Sequence, residues 1–221
     1  MSNKFLRKTE TRRFLSTCVK KLATIEVFPK KSLVDERLTK TVVKGLKPEE
    51  TVKLKLSVTN KVNLNYASAF DFQADKQGVI DLSKTVPKCQ TYNEPDPMSI
   101  YWLMKPQEGS DKRFWPLKIN NGLECKYEVF SQNNESLACD TIYKDYMGEG
   151  VQRIEIREGN IVGTLFLPPG HGPFPCVIKL YGGIHKGNVI EDKSAMFASR
   201  GIASLALAFF GVPGLPKTYA E

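Results

Sequence analysis

The chain has 221 residues, of which 41% are hydrophobic and 25% are charged, with a net charge of +8 at pH 7. This composition is typical of a globular protein with one large or two modest domains, and it excludes a disordered chain. Residues 1–24 hold seven Lys and Arg and one Glu, a net charge of +6 that leaves +2 for the rest. No nucleic-acid-binding surface is therefore indicated.

Membrane, metal and disulfide classes are also disfavoured. No apolar run approaches the length of a transmembrane helix. The five cysteines are odd in number and include no C-x-x-C pair, which favours reduced thiols in an intracellular protein. We therefore expect neither a metal site nor a cofactor.

The basic segment 1–24 is rich in Arg and poor in acidic residues. In a helix, one face would carry the apolar side chains Phe14, Leu15, Cys18, Val19 and Leu22. This pattern resembles a mitochondrial targeting peptide, and the alternative is a short surface helix or a frayed tail. The protein is expected in mitochondria or cytoplasm. Tyr219-Ala220-Glu221 is not a peroxisomal tripeptide, but a peroxisomal location stays open.

Residues 25–147 predict short strands separated by turns. Residues 51–58 alternate apolar and polar side chains, which is typical of a strand with one buried face. Asn121-Gly122 is a strong hairpin signal. Together these features predict an antiparallel, immunoglobulin-like β-sandwich. Its predicted strands are residues 25–28, 40–43, 51–58, 65–72, 99–104, 117–120, 125–130 and 138–143.

Polar and aromatic residues of this first part are interpreted as structural. Asp71, Asp75 and Asp81 are expected to cap turns rather than act as acid–base pairs. Trp102 and Trp115 are expected to fill the core rather than contact substrate.

Residues 148–150 are the predicted linker to a second domain, residues 148–221. A strand at 161–167 and a Pro/Gly loop precede a second, apolar strand at 176–181 that is expected to be buried. A helix at 191–200 ends at Gly201, and a further strand follows at 202–210. Strand, helix and strand predict a βαβ unit with a parallel sheet.

Gly182-Gly183 follow the second of these strands, at the edge of a parallel sheet where ligands bind. The backbone N–H groups of Gly182, Gly183 and Ile184 are therefore candidate oxyanion-hole donors, and the alternative is an ordinary tight turn. His185 is a weak candidate for a substrate contact. Lys186 could bind a phosphate of a substrate, although most lysines are simply solvated.

Three stretches of the sequence match a family pattern. They are Asp35-Glu36-Arg37 with Val43 to Glu49, Asp75 to Leu82 with Asp96-Pro97-Met98 and Trp102, and Gly163 to Lys217. On these motifs the chain closely resembles the acyl-CoA thioesterase / bile acid-CoA:amino acid N-acyltransferase family. Arg37 stands where the family has Pro, and Ile184-His185-Lys186 where it usually has more glycine.

The resemblance implies a β-sandwich followed by an α/β-hydrolase domain. It also implies hydrolysis of fatty acyl-CoA to free acid and CoA, or transfer of the acyl group to an amino acid. The reaction would use a Ser or Cys nucleophile, an Asp and a His, with the CoA thioester as substrate and no cofactor. Acyl chain length and oligomeric state stay open.

No G-x-S-x-G or G-x-C-x-G occurs in the chain. Ser194, Ser199 and Ser204 do not fall on a strand-to-helix elbow, and Cys176 is expected to be buried and inert. His171 is expected to be a solvated loop residue. The expectation is a truncated hydrolase domain that lacks its triad and is inactive alone, with strand 176–181 as an unpaired apolar edge and a poorly ordered second domain. The alternative is a non-catalytic isoform or fragment.

Overall fold

The structure, a computed structural model, describes residues 23–60, 65–110, 119, 122–180 and 191–217. Within these ranges the chain is mostly β-strand, with two short helices. The elements of the first part are β1 (Thr24–Phe28), β2 (Lys31–Leu33), β3 (Lys40–Lys44), β4 (Thr51–Thr59), β5 (Asn65–Gln73), β6 (Ile80–Asp81), α1 (Ser99–Trp102), β7 (Lys105–Pro106), β8 (Leu123–Phe130) and β9 (Ser136–Asp145).

These strands form two sheets. A three-stranded antiparallel sheet has the order β1-β3-β6. A six-stranded sheet has the order β2-β9-β8-β4-β5-β7, in which β2 runs parallel to β9 and the other neighbours are antiparallel. The first part is therefore β-rich, as the strand pattern predicted.

One hydrophobic core joins the two sheets. It includes Val27 and Val43 from the three-stranded sheet and Leu54, Leu56 and Tyr127 from the six-stranded sheet, all fully buried. The alternation predicted for residues 51–58 is confirmed, because every second side chain of β4 is buried. Burying one face of each sheet against the other provides the main hydrophobic stabilisation of this part.

The prediction of a strand at residues 99–104 was wrong, because α1 occupies most of it. The Asp96 carboxylate accepts a hydrogen bond from Met98 N at 2.8 Å, and Asp96 O accepts one from Ser99 N at 2.9 Å. These bonds turn the chain where the apolar pattern alone favoured a strand. The predicted strand 117–120 and the Asn121-Gly122 hairpin lie mostly outside the described residues, as does Trp115.

Two of the three aspartates cap turns, as predicted. Asp75 Oδ1 accepts hydrogen bonds from Gln77 N and Val79 N, and Asp81 Oδ1 accepts one from Ser83 N. Asp71 instead lies within β5, so its turn assignment was wrong.

Four strands form the third sheet, which has the order β10-β11-β13-β12. Antiparallel pairing joins β10 to β11 and β11 to β13, whereas β12 and β13 are parallel. Helix α2 connects the parallel pair, and Gly201, with φ +84°, follows it in the left-handed region as predicted. The bounds are β10 (Gln152–Glu158), β11 (Ile161–Leu167), β12 (Cys176–Leu180), α2 (Asp192–Ala198) and β13 (Ala203–Ala208).

Helix α2 covers one face of this sheet, where Phe166 is buried together with Ala195 and Ala198. The prediction that strand 176–181 is buried was wrong, because Ile178 is 65% exposed and Leu180 61%. The cause is the position of β12 at one edge of the sheet, with β13 as its only strand partner among the described residues. The expected apolar edge is therefore present in this part of the chain.

The predicted linker makes specific contacts. Gly148 N donates a hydrogen bond to Ser199 Oγ at 2.8 Å, beside the end of α2. One residue further, Arg200 forms a 2.8 Å ion pair with Asp35 of the first part. Neither helix within the described ranges has the length and apolar character needed to cross a bilayer.

Candidate functional site

The carboxyl ends of the parallel strands β12 and β13 define the candidate site. Their register runs from Cys176 opposite Ala203 to Leu180 opposite Leu207, so both strands end at the same edge of the sheet. The chain leaves β12 at this edge and returns to the described residues at Glu191. The predicted donors Gly182, Gly183 and Ile184, and the predicted contacts His185 and Lys186, lie between these points. They fall outside the described residues and stay predictions.

The described chain resumes at Glu191, and the side chain of Glu191 is bound to the sheet. Its carboxylate accepts two hydrogen bonds from Arg153, from Nε at 2.8 Å and from Nη2 at 2.7 Å. Thr164 Oγ1 donates a third, at 2.6 Å. Arg153 lies on β10 and Thr164 on β11, so the start of α2 is bound to two different strands. A bidentate pair of this kind fixes both distance and orientation.

A second ion pair lies beside the first. Lys179 Nζ, near the end of β12, is 3.5 Å from Asp192 Oδ1, in the first turn of α2. Thr164 is opposite Ala206 on β13, and Ala206 is opposite Lys179, so these side chains share the sheet face that α2 covers. Thr164 and Lys179 therefore lie in one row across the sheet, and Arg153 lies in the next row on the same face, opposite Phe166.

Burial and charge strengthen the first pair. The Arg153 side chain is 26% exposed and the Glu191 side chain 12%. The hydrogen bond to Glu191 is the main cause that raises the pKa of Arg153, and the bond to Glu155 adds to it against the effect of burial. An ion pair that is mostly shielded from water keeps more of its Coulomb attraction than a surface pair.

The side chains rejected as nucleophiles are not arranged for that role. Ser194 lies buried in α2, and Ser204 lies buried in β13. Ser199 donates its hydroxyl to Ala195 O at 2.7 Å. Cys176 is exposed at the edge of the sheet, so the expectation that it is buried was wrong. His171 is exposed in its loop, as expected.

The described residues add two observations on cysteines and metals. Cys89, Cys125, Cys139 and Cys176 are all free thiols. Among these parts of the chain, no group of His, Cys, Asp and Glu side chains is placed to hold a metal ion.

In the first part, residues of two of the three motifs described above contact each other at Asp96. Its carboxylate accepts hydrogen bonds from Arg37 at 2.7 Å and from Trp102 Nε1 at 3.2 Å. Arg37 also lies over the Trp102 ring, 5.7 Å from its centroid. Trp102 is 55% exposed, so the prediction that it fills the core was wrong. Its ring nitrogen is held at the surface by Asp96 instead.

Sequence reasoning missed the connection between Arg153, Thr164 and Glu191. Glu191 is 38 residues from Arg153 and 27 from Thr164, so no local spacing relates them. The βαβ pattern placed Glu191 at the start of a helix, but which strand residue it contacts follows only from the strand order.

These features define a β-rich protein with a β-α-β unit whose parallel strands end at one open edge. Residues 35–158 match the family described as acyl-CoA thioester hydrolase/BAAT N-terminal region. This match covers more than half of the chain, and the chain belongs to that family.

Curated relatives agree with this assignment. Over 208 residues, the chain is 33% identical to mouse acyl-coenzyme A thioesterase 6. This match covers 90% of the chain and 48% of the relative. It is 33% identical to mouse peroxisomal succinyl-coenzyme A thioesterase, covering 88% and 47%. It is 32% identical to mouse acyl-coenzyme A amino acid N-acyltransferase 2, covering 87% and 47%. The chain spans about half the length of these relatives.

Proposed function

We propose that this protein acts on fatty acyl-CoA thioesters, and that its reaction is hydrolysis to a free fatty acid and CoA. The match of residues 35–158 to the thioester hydrolase family carries this proposal. The relatives named as thioesterases support hydrolysis as the reaction.

Two architectural proposals accompany it. Residues 25–147 form an immunoglobulin-like β-sandwich, for which the two sheets with one shared core give support. Residues 148–221 form the first part of an α/β-hydrolase domain, for which the parallel pair β12 and β13 joined by α2 gives support. The N–H groups of Gly182, Gly183 and Ile184 would then hold the oxyanion of the tetrahedral intermediate, where one donor is typically worth about 3–4 kcal/mol.

The nucleophile, its Asp and its His belong, in this proposal, to sequence beyond the 221 residues. The absence of G-x-S-x-G and G-x-C-x-G from the chain supports this. In the described structure, no side chain that could act as a general base lies beside Ser194, Ser199, Ser204 or Cys176. The 221 residues alone are accordingly expected to be inactive.

Acyl transfer to an amino acid is the second candidate reaction. Relatives named acyl-coenzyme A amino acid N-acyltransferases match the chain nearly as well as the thioesterases do, at 31–32% identity. The two reactions share the acyl-enzyme step and differ in the group that releases the acyl chain, water or an amine.

The test is a thiol-release assay on two proteins. The first is the purified 221-residue chain, which is expected to release no CoA from palmitoyl-CoA. The second is a chimera in which the chain replaces the matching half of mouse acyl-coenzyme A thioesterase 6, and this protein is expected to release CoA. Adding glycine separates hydrolysis from acyl transfer, because only transfer forms an N-acyl product. A folded chimera without activity would refute the function, and turnover by the chain alone would refute the missing nucleophile.

The subcellular location of the protein is also a proposal. The basic segment 1–24 supports a mitochondrial location, and the relative named as a peroxisomal thioesterase supports a peroxisomal one. A reporter fused to residues 1–24 distinguishes them, because mitochondrial signal would support only the first.

A further inference from the structure

Two buried tyrosines face each other in the core of the first part, one from helix α1 and one from strand β8. The rings of Tyr101 and Tyr127 lie 6.2 Å apart, centroid to centroid, and are inclined by 59°. Tyr127 is fully buried and Tyr101 is 9% exposed. We propose that their hydroxyl groups, together with the thiol of Cys125, form a buried binding site for an ordered water molecule. This proposal concerns the first part of the chain and is independent of the proposed function.

Strand pairing and one hydrogen bond bring the two tyrosines together. Tyr127 on β8 is opposite Leu56 on β4, and Leu56 is opposite Ser68 on β5. Ser68 Oγ donates a 2.6 Å hydrogen bond to Ile100 O in α1. This bond holds α1 over the row of the sheet that contains Tyr127. The ring of Tyr101, the residue after Ile100, therefore lies beside that of Tyr127.

The thiol of Cys125 belongs to the same uncharged group. Cys125 is two residues before Tyr127, on the same buried face of β8. Burial raises the pKa of this thiol to about 11. Burial also raises the pKa of both tyrosines, and for Tyr101 the neighbouring Tyr127 and Cys125 add to the effect. All three groups are therefore uncharged at neutral pH, which suits a neutral ligand, because burying an ion is costly without a charged partner.

The protein itself does not satisfy the two hydroxyl groups. Within the described parts of the chain, Tyr101 Oη and Tyr127 Oη have no hydrogen-bond partner at normal distance. The great majority of buried polar groups are paired, and a dry, unpaired hydroxyl is costly. Polar groups that are neighbours but too far apart for a direct hydrogen bond are commonly bridged by water. A bridging water would satisfy both hydroxyls at once.

One water molecule matches the hydrogen-bonding capacity of these groups. Each tyrosine hydroxyl can both donate and accept a hydrogen bond, and the thiol is a weak donor and a weak acceptor. A buried water typically makes about three hydrogen bonds, and the two hydroxyls and the thiol supply that number. Phenylalanine at either tyrosine position would fill the same space but would remove one of the three.

The water would connect α1 to the six-stranded sheet. It would add a second polar contact beside the hydrogen bond from Ser68 to Ile100 O. Because α1 has only four residues, it has little hydrogen bonding of its own and depends on tertiary contacts for its position.

Magnetic relaxation dispersion of the water signal tests the proposal on the purified chain, because it detects water molecules that stay bound for longer than the protein takes to tumble. The wild type is expected to show a dispersion from long-lived water. Tyr127→Phe and Tyr101→Phe should each reduce the amplitude by the share of one molecule. Each should also raise the equilibrium constant of unfolding, measured in urea, by about tenfold, the effect of losing one hydrogen bond.

Tyr143→Phe is the matched control. Tyr143 lies on β9 of the same sheet and is 51% exposed, so it is already in contact with bulk water. This variant should keep the dispersion amplitude of the wild type, and its unfolding constant should stay within about twofold of the wild-type value.

Two results would overturn the proposal. The first is a full dispersion amplitude in either Tyr101→Phe or Tyr127→Phe, which would mean that the substituted hydroxyl holds no water, whether it is dry or bonded directly to the other. The second is a Tyr127→Phe variant that is at least as stable as the wild type, the result expected for a hydroxyl that is buried and dry.

Discussion

Lys144 offers the sharpest test of the energetics of the first part. It lies in β9 and is only 2% exposed, and its Nζ donates hydrogen bonds to Ser32 Oγ at 3.0 Å, Leu33 O at 3.2 Å and Glu36 O at 2.6 Å. Burial lowers the pKa of Lys144, and the nearby Cys125, Glu36 and Asp35 only partly offset this. The ammonium is thus well bonded but poorly solvated.

The perturbation is Lys144→Met, which keeps the length of the side chain and removes the charge. Relief of desolvation favours the variant, but three acceptors lose their donor, and each unpaired acceptor costs about 1–3 kcal/mol when buried. These acceptors belong to residues that are partly exposed, which reduces the cost. We expect a net loss of about 1–3 kcal/mol in the free energy of unfolding at neutral pH.

The pH dependence has a definite sign. A lysine whose pKa is lower in the folded state binds fewer protons there than in the unfolded state, so wild-type stability rises with pH between the lowered pKa and the ordinary value of about 10.4. The slope is at most about 1.4 kcal/mol per pH unit for one group. The methionine variant lacks this contribution, so the advantage of the wild type should grow as the solution becomes alkaline.

Urea denaturation at about pH 7 and about pH 9.5 measures both effects. Lys53→Met is the control, because Lys53 is an exposed lysine of the same sheet and its loss should matter by less than about 0.5 kcal/mol. A more stable Lys144→Met at neutral pH, or a wild-type advantage that stays flat or shrinks at higher pH, would refute the reasoning.

Three further outcomes can be measured by the same denaturation experiment. Phe166→Ala should lose about 3–5 kcal/mol because the ring is fully buried beneath α2, whereas Ile178→Ala at the exposed edge should change little; equal losses would contradict the packing. Gly78→Ala should lose at least about 2 kcal/mol, since a Cβ would lie 2.0 Å from a main-chain carbonyl oxygen at φ +73°, and more than Gly109→Ala, where φ is +77° but the space is open; the reverse ranking would argue against the turn geometry. Burial alone would raise the pKa of Asp96, but its hydrogen bonds lower the pKa by more, so the net pKa is below its ordinary value. The advantage of the wild type over Asp96→Asn in the free energy of unfolding should therefore be present above about pH 4 and disappear as pH falls through the lowered pKa. An advantage that persists in acid would be inconsistent with this.

The sequence predicted most of the long strands but missed the seven-residue β10. Strand β4 alternates apolar and polar side chains over nine residues, and so long a pattern of period two has few competing interpretations. The unit β12, α2 and β13 was predicted from the order of a strand, a glycine turn, a helix and a strand. Its parallel pairing follows from the length of the connection, and the structure has that pairing.

The short elements could not be predicted. Strands β2, β6 and β7 have two or three residues each, too few to show any period. Helix α1 was predicted as a strand because its apolar residues say nothing of the turn that Asp96 builds ahead of it. Burial of Cys176 was predicted from apolarity alone, whereas its exposure depends on where β12 lies in the sheet.

The candidate site divides in the same way. A glycine turn after β12 was predicted from sequence order, and it lies outside the described residues. The contact between Arg153 and Glu191 depends on residues brought together by the fold, for which the local sequence contains no signal. Trp102 illustrates a different limit, since a large aromatic residue next to an acceptor can satisfy its ring nitrogen at the surface and remain exposed.

The contacts around Gly148 affect how this polypeptide can be dissected. Tyr146 and Val151 flank the predicted boundary, and both are buried in the core that also contains Phe166. A recombinant fragment ending at residue 147 would therefore expose apolar side chains that are buried in the whole chain. It would also lose the ion pair between Asp35 and Arg200. A fragment boundary chosen from glycine content alone would therefore divide one continuous hydrophobic core.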